Sequence, residues 1–243
     1  MEAGQKSYGT NGYQNFLFPL GIMWMTQGEY EYTYSHNGTY AMDFQGAKIE
    51  DGQVVRRYKC PYYAPFDCTC VAKWGSTSPM VVWQSDDLVN IINDNLPTKC
   101  CIGFCHDDNI TNIHVGDHKL QGEIIGHTGT YGASGDHVHI EAKRGTYDGY
   151  YKNSSGKWML KNSTHLYNLM GVNDTVLYKD YYVNHQGKTV TYNWREFSNI
   201  GPIPPGPGPG PGPTPISGNL KFKKFPWVLY ARKLRNKRKE KSI

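Results

Sequence analysis

The chain has 243 residues, 38% hydrophobic and 14% aromatic with only 19% charged, which is enough to bury a real core and excludes a disordered polymer. Its net charge of +5 sits at one end: residues 219–243 hold ten Lys/Arg against one Glu. The remainder is therefore net negative, at about −4, which speaks against a nucleic-acid-binding body.

The opening segment, MEAGQKSYGTNG, has neither a basic nor an apolar signal region, and no run reaches the roughly 18 apolar residues needed to cross a bilayer. Synthesis in the cytoplasm without a signal peptide is expected, with delivery to any outside target left to another agent. Twenty-seven glycines and 19 tyrosines suit short strands, tight turns and an aromatic-lined groove, so the expected fold is mainly β (α+β) with antiparallel sheet. VVRRY (54–58), CTCVAKW (68–74) and MVVWQS (80–85) read as strands rich in Val, Tyr and Trp, broken by Pro and Gly. ITNIHV (110–115) and EIIGHTG (123–129) continue the pattern on either side of a turn, GDHKLQG. In HVHIEA (137–142), alternation places His137 and His139 on one face and Val138 and Ile140 on the other. YDGYYKNSSGKWML (147–160) reads as a polar hairpin, and STHLYNLMGV (163–172) as a short helix capped by Ser163 or Thr164.

The cysteines Cys60, Cys68, Cys70, Cys100, Cys101 and Cys105 match neither zinc-ribbon nor redox spacing, so buried, reduced thiols are expected. In GPIPPGPGPGPGP (201–213), proline removes backbone donors and glycine weakens ordering, which marks an exposed spacer. The basic segment after it is either a solvated tail or an adhesive one. In the second case the candidate partners are an anionic wall polymer, a membrane surface met through Phe222, Phe225 and Trp227, a virion protein, or nucleic acid bound without sequence recognition.

Two histidines at i and i+2 on a strand can converge on one metal or share roles around it. SHNGTYAMDF (35–44) adds His36 and Asp43, a pair of the type zinc accepts. Two imidazoles and one carboxylate make a catalytic rather than structural shell, because three protein ligands leave a fourth position open.

These residues resemble the lysostaphin/LytM-type zinc endopeptidases of bacterial walls and phage lysins. The likeness runs through SHNGTYAMD, YAPFDCTCV (63–71) and HDDNITNIHVGDHKLQGEIIGHTGTYGASGDHVHIE (106–141). It rests most specifically on His106, Gly116-Asp117, Gly122, Gly126, Gly129 and Gly135, closing on His137-x-His139. It implies that His36, Asp43 and His139 bind Zn²⁺ and that His106 and His137 flank the attacking water. Six residues separate His36 from Asp43, a spacing similar to that of D-Ala-D-Ala metallopeptidases. Tyr34, Tyr40 and His127 are candidates to line the substrate groove.

The expected organisation is an N-terminal extension (1–29), a metallopeptidase core (30–145), a C-terminal extension packed on it (146–200), a Pro/Gly linker (201–218) and a basic tail (219–243). The implied activity is cleavage of peptide cross-links in peptidoglycan at the host wall by a phage-encoded enzyme, either released at lysis or carried in the virion tail. The alternative is an inactive relative serving as a wall-binding or virion structural module.

Overall fold

A computed structural model describes residues 1–30 and 35–197. Tyr34, the Pro/Gly linker and the basic tail lie outside the described residues. All six cysteines are buried.

The fold is mainly β, built on an eight-stranded sheet. Its strands are β1 (Ile22–Gln27), β2 (Ala41–Gln45), β3 (Cys68–Trp74), β4 (Met80–Ser85), β5 (Cys100–Cys105), β6 (His118–Lys119), β7 (Val138–Arg144) and β8 (Val176–Leu177). Their spatial order is β6-β3-β4-β5-β7-β2-β1-β8, with every pairing antiparallel except that of β8 with β1. The one α-helix among the described residues, α1, spans Leu166–Leu169.

The two faces of the sheet divide labour through the two-residue side-chain period. Val138, Ile140 and Ala142 of β7 join Met42, Phe44, Ile102, Phe104, Val81 and Trp83 in the main core. Phe16 meets Phe66 edge-on at 4.7 Å, and Phe18 meets Phe44 at 4.9 Å and Trp194 at 5.2 Å. Each such ring contributes on the order of 2 kcal/mol through burial. The alternate residues of the same strands, His139, Glu141 and Lys143, face the other way.

Register creates one transverse row on that second face. Trp74 pairs with Met80, Met80 with Cys105, Cys105 with His139, His139 with Asp43, and Asp43 with Gln27. The row carries two of the expected ligands on adjacent central strands, where ladder pairing on both sides fixes their backbone.

Residues 1–29 contribute to this architecture. They supply β1 beside β2 and place Phe16, Phe18, Leu20, Met23 and Met25 in the core. The segment after residue 145 adds β8 to the sheet and Leu166, Leu169, Tyr182, Tyr192 and Trp194 to the core.

Two local expectations are corrected. ITNIHV contains a 3-10 turn over Ile110–Asn112 instead of a strand. Asp107 reverses the chain there, accepting the Ile110 N–H on its carbonyl and the Asn109 N–H on its carboxylate. Helix α1 has His165, not Ser163 or Thr164, at its N-cap and no side-chain cap, while the Thr164 N–H is bonded to the Ala142 carbonyl of β7.

Candidate metal centre

His36 arrives from a turn, Asp43 from β2 and His139 from β7, and all three are buried. His36 Nε2 lies 3.2 Å from Asp43 Oδ1 and 3.1 Å from His139 Nδ1, and the third side, His139 Nδ1 to Asp43 Oδ1, is 3.1 Å. Tetrahedral zinc with bonds of about 2.0–2.1 Å requires donor separations of about 3.3 Å, so this triangle has the size of one face of a zinc site.

The outer hydrogen bonds define which atoms face inward. His36 Nδ1 is 2.8 Å from the Gly28 carbonyl, which only accepts, so Nδ1 carries the hydrogen and Nε2 presents a lone pair to the triangle. His139 Nε2 lies 3.0 Å from Glu141 Oε1, so donation to that carboxylate leaves the Nδ1 lone pair facing Asp43 and His36. Two nitrogen lone pairs and a carboxylate oxygen thus converge in a buried space. Such an arrangement repels itself unless a cation lies within it, and its donor set fits zinc.

The electrostatics express the same demand. Burial opposes charge on His139, yet hydrogen bonds to Asp43 and Glu141 outweigh it and raise its pKa to about 10. Burial also opposes charge on Asp43, but the His36 charge and the His139 and His36 hydrogen bonds hold it well below the usual carboxylate range. Because an imidazole binds a metal only through a free lone pair, metal binding at His139 is coupled to release of a proton.

His137 and His106 complete the constellation. His137 Nδ1 is 2.7 Å from the Gly135 carbonyl, turning Nε2 to within 3.5 Å of Asp43 Oδ2. His106 Nδ1 is 2.9 Å from the Tyr131 carbonyl, and its ring centroid lies 4.5 Å from His137 and 6.1 Å from His139. Burial and the neighbouring His137 and His139 lower the His106 pKa to about 4, so this imidazole is neutral and its inward nitrogen can accept a proton. His106 adopts φ 77°, a conformation costly for a non-glycine residue and typical of functional sites. Gly129 links the two histidines, bridging His137 in both directions while a Cβ on it would meet the His106 carbonyl at 2.3 Å.

The cluster thus brings together five of the eight sequence candidates. Tyr40 is edge-on to Tyr30 at 4.8 Å and to His165 at 4.3 Å. His127 is not drawn in: it lies opposite Pro61 on a separate two-stranded ribbon, its N–H bonded to Asp107.

Sequence reasoning missed Glu141, although alternation alone puts it on the histidine face. It is fully buried, with one oxygen on His139 and the other accepting the Leu160 N–H at 2.8 Å. It also missed the Gly28 carbonyl and the neighbouring pair Glu29–His165, 2.6 Å apart, where burial raises the Glu29 pKa. Glu141→Gln turns one acceptor into an amide and is expected to weaken zinc binding about 10–100-fold. Competitive chelator titration checks this, and an unchanged affinity would remove Glu141 from the site.

No family model matches the chain. Solved structures to which it is similar include LytU, at 19% identity over 52% of this chain and 77% of that one, with a TM-score of 0.35. Others are the catalytic domain of lysostaphin from Staphylococcus simulans (19% identity, 59% and 83% covered, TM-score 0.32) and a zinc-containing peptidase from Vibrio cholerae (16%, 57% and 43%, TM-score 0.37). Among curated proteins, Morphogenesis protein 1 of Bacillus phage B103 is 34% identical over 191 residues. That match covers 77% of this chain and 46% of the phage protein, so the chain is similar to a phage morphogenesis protein of which it spans about half the length.

Proposed function

We propose that the chain is a zinc-dependent endopeptidase of the lysostaphin type that hydrolyses peptide cross-links of bacterial peptidoglycan. We further propose that it is phage-encoded and acts at the host wall in lysis or wall penetration. The observation that carries this reading is the inward convergence of His36 Nε2, Asp43 Oδ1 and His139 Nδ1, with two more imidazoles beside them. The phage relative supports the viral setting, and its role in morphogenesis favours delivery with the virion.

His36, Asp43 and His139 would hold zinc, which when bound would supply Lewis acidity toward water and an amide carbonyl. His137 and His106 divide the proton work: one takes the proton of the attacking water and the other returns a proton to the departing amine. Asp43 serves twice, with Oδ1 in the ligand triangle and Oδ2 toward His137 Nε2. Glu141 and the Gly28 carbonyl hold the ligand imidazoles in the tautomers the metal requires.

The test is mass spectrometry of fragments released from purified walls by zinc-loaded and chelated protein. New peptide amino termini are expected with zinc, with release falling at least about 10³-fold after chelation. Cleavage confined to glycosidic bonds, or release indifferent to metal removal, overturns the proposal.

A further inference from the structure

The hairpin of Tyr150–Lys152 and Trp158–Leu160, read from sequence as merely polar, builds an aromatic stack at one end of the transverse row. Trp74, the row's terminal residue, stacks on Tyr150 at 5.1 Å with an interplanar angle of 22° and on Tyr147 at 5.9 Å with 25°. Trp158 then stands against Tyr150 at 4.9 Å and 87°, with Lys152 Nζ 4.6 Å from its ring centroid. Trp74 and Tyr147 pack against the buried cluster of Met80, Val82, Cys101, Cys105 and Leu160, but Tyr150 and Trp158 remain 47% and 44% exposed. Packing accounts for the inner pair. The outer pair forms a solvent-facing corner of two rings at right angles, with hydroxyl, indole and ammonium donors in the side chains that form it.

We propose that this corner is a saccharide-binding subsite, taking the glycan strand to which the cleaved peptide is attached. The proposal rests on the peptidase reading and names the second part of its substrate. A pyranose ring offers a flat C–H face to an aromatic ring and a rim of hydroxyl and N-acetyl groups to donors, which is the complement of this corner. Distance assigns sugar rather than peptide to it. Trp74 lies three strands from His139, about 14 Å at the usual strand spacing. An extended peptide advances about 3.3–3.6 Å per residue, so about four residues leading from the scissile bond reach the stack. A sugar attached at about that distance from the scissile bond would meet the corner.

The experiment uses the zinc-loaded full chain with chitotetraose, a soluble N-acetylglucosamine tetramer, in calorimetric titration. It adds two hydrolysis assays, one on glycan-linked muropeptides and one on the same cross-linked peptide freed of sugar. Trp158→Ala, at an exposed position, is expected to weaken chitotetraose binding and raise KM on the glycan-linked substrate about tenfold, as loss of one stacking contact does. Turnover of the sugar-free peptide is expected to stay within about twofold. Tyr150→Ala gives a second reading through the neighbouring ring. Equal loss on both substrates would make the corner a peptide subsite and overturn the proposal, as would a wild-type chain that cuts walls without binding the tetramer. A chain that binds the tetramer but cuts neither substrate would sustain the saccharide site while sinking the peptidase reading.

Discussion

His139→Ala is expected to abolish metal binding and wall hydrolysis together. His139 is the proposed ligand with the most structural support, lying on a central strand with Cys105 opposite on one side and Asp43 on the other. Its ring is fixed from behind by Glu141 and closes two sides of the donor triangle. Removing one donor of three costs on the order of 4 kcal/mol of metal affinity, about a thousandfold in Kd. It also strands Glu141, a fully buried carboxylate, without the imidazole its Oε1 contacts. Zinc content measured by atomic emission should fall from about one per chain to background, and wall hydrolysis by at least about 10⁴-fold. Because the change also removes a buried contact, circular dichroism must show a folded chain. Glu141→Gln serves as the milder partner, loosening the same ligand without deleting it. A folded His139→Ala protein that still carries one zinc and cuts muropeptides would dismiss the ligand assignment.

How far the centre could be read from sequence depended on where each group's constraint lies. The strand period in HVHIEA alone assigned His139 and Val138 to opposite faces, because alternation is a local property of extended backbone. The same period contained Glu141, but a carboxylate at i+2 gains meaning only once His139 Nε2 is seen to point along the strand. The Gly28 carbonyl was invisible, since every residue has one and only the fold says which faces a ligand. The apolar run IMWMTQ of β1 has no clean alternation, so its place in the main sheet depends on tertiary pairing with β2 rather than on any local signal. ITNIHV failed in the opposite direction. Its apolar spacing mimics a strand, while the bonds of Asp107 that bend it come from a residue outside the run.

The hairpin at 147–160 shows the same limit from another side. Turn residues between two short runs revealed its topology, but Tyr147, Tyr150 and Trp158 are merely aromatic until Trp74, more than 70 residues earlier, is brought beneath them by the β3–β4 pairing. Local chemistry thus identified the elements, and long-range register identified their use.

His137→Ala and His106→Ala are expected to separate chemistry from metal. Neither imidazole belongs to the donor triangle, so both variants should retain about one zinc per chain. Positioned proton transfer by a side chain is worth about 10²–10⁴-fold in rate, and kcat on a defined cross-linked peptide should fall by that amount in each. The two rings lie 4.5 Å apart, and the backbone bridge between Gly129 and His137 places both beside one loop, so they act as one relay. The double variant should then be little worse than the poorer single one rather than showing the product of the two losses. The pH profile discriminates further. With the His106 pKa at about 4, this ring is deprotonated across the neutral range, which is one requirement of the residue that takes the water's proton. If it is that base, His106→Ala should remove an acid-side limb from kcat/KM that His137→Ala retains. Loss of zinc from either variant would place that histidine among the ligands instead, and activity within about threefold of the parent would remove it from the mechanism.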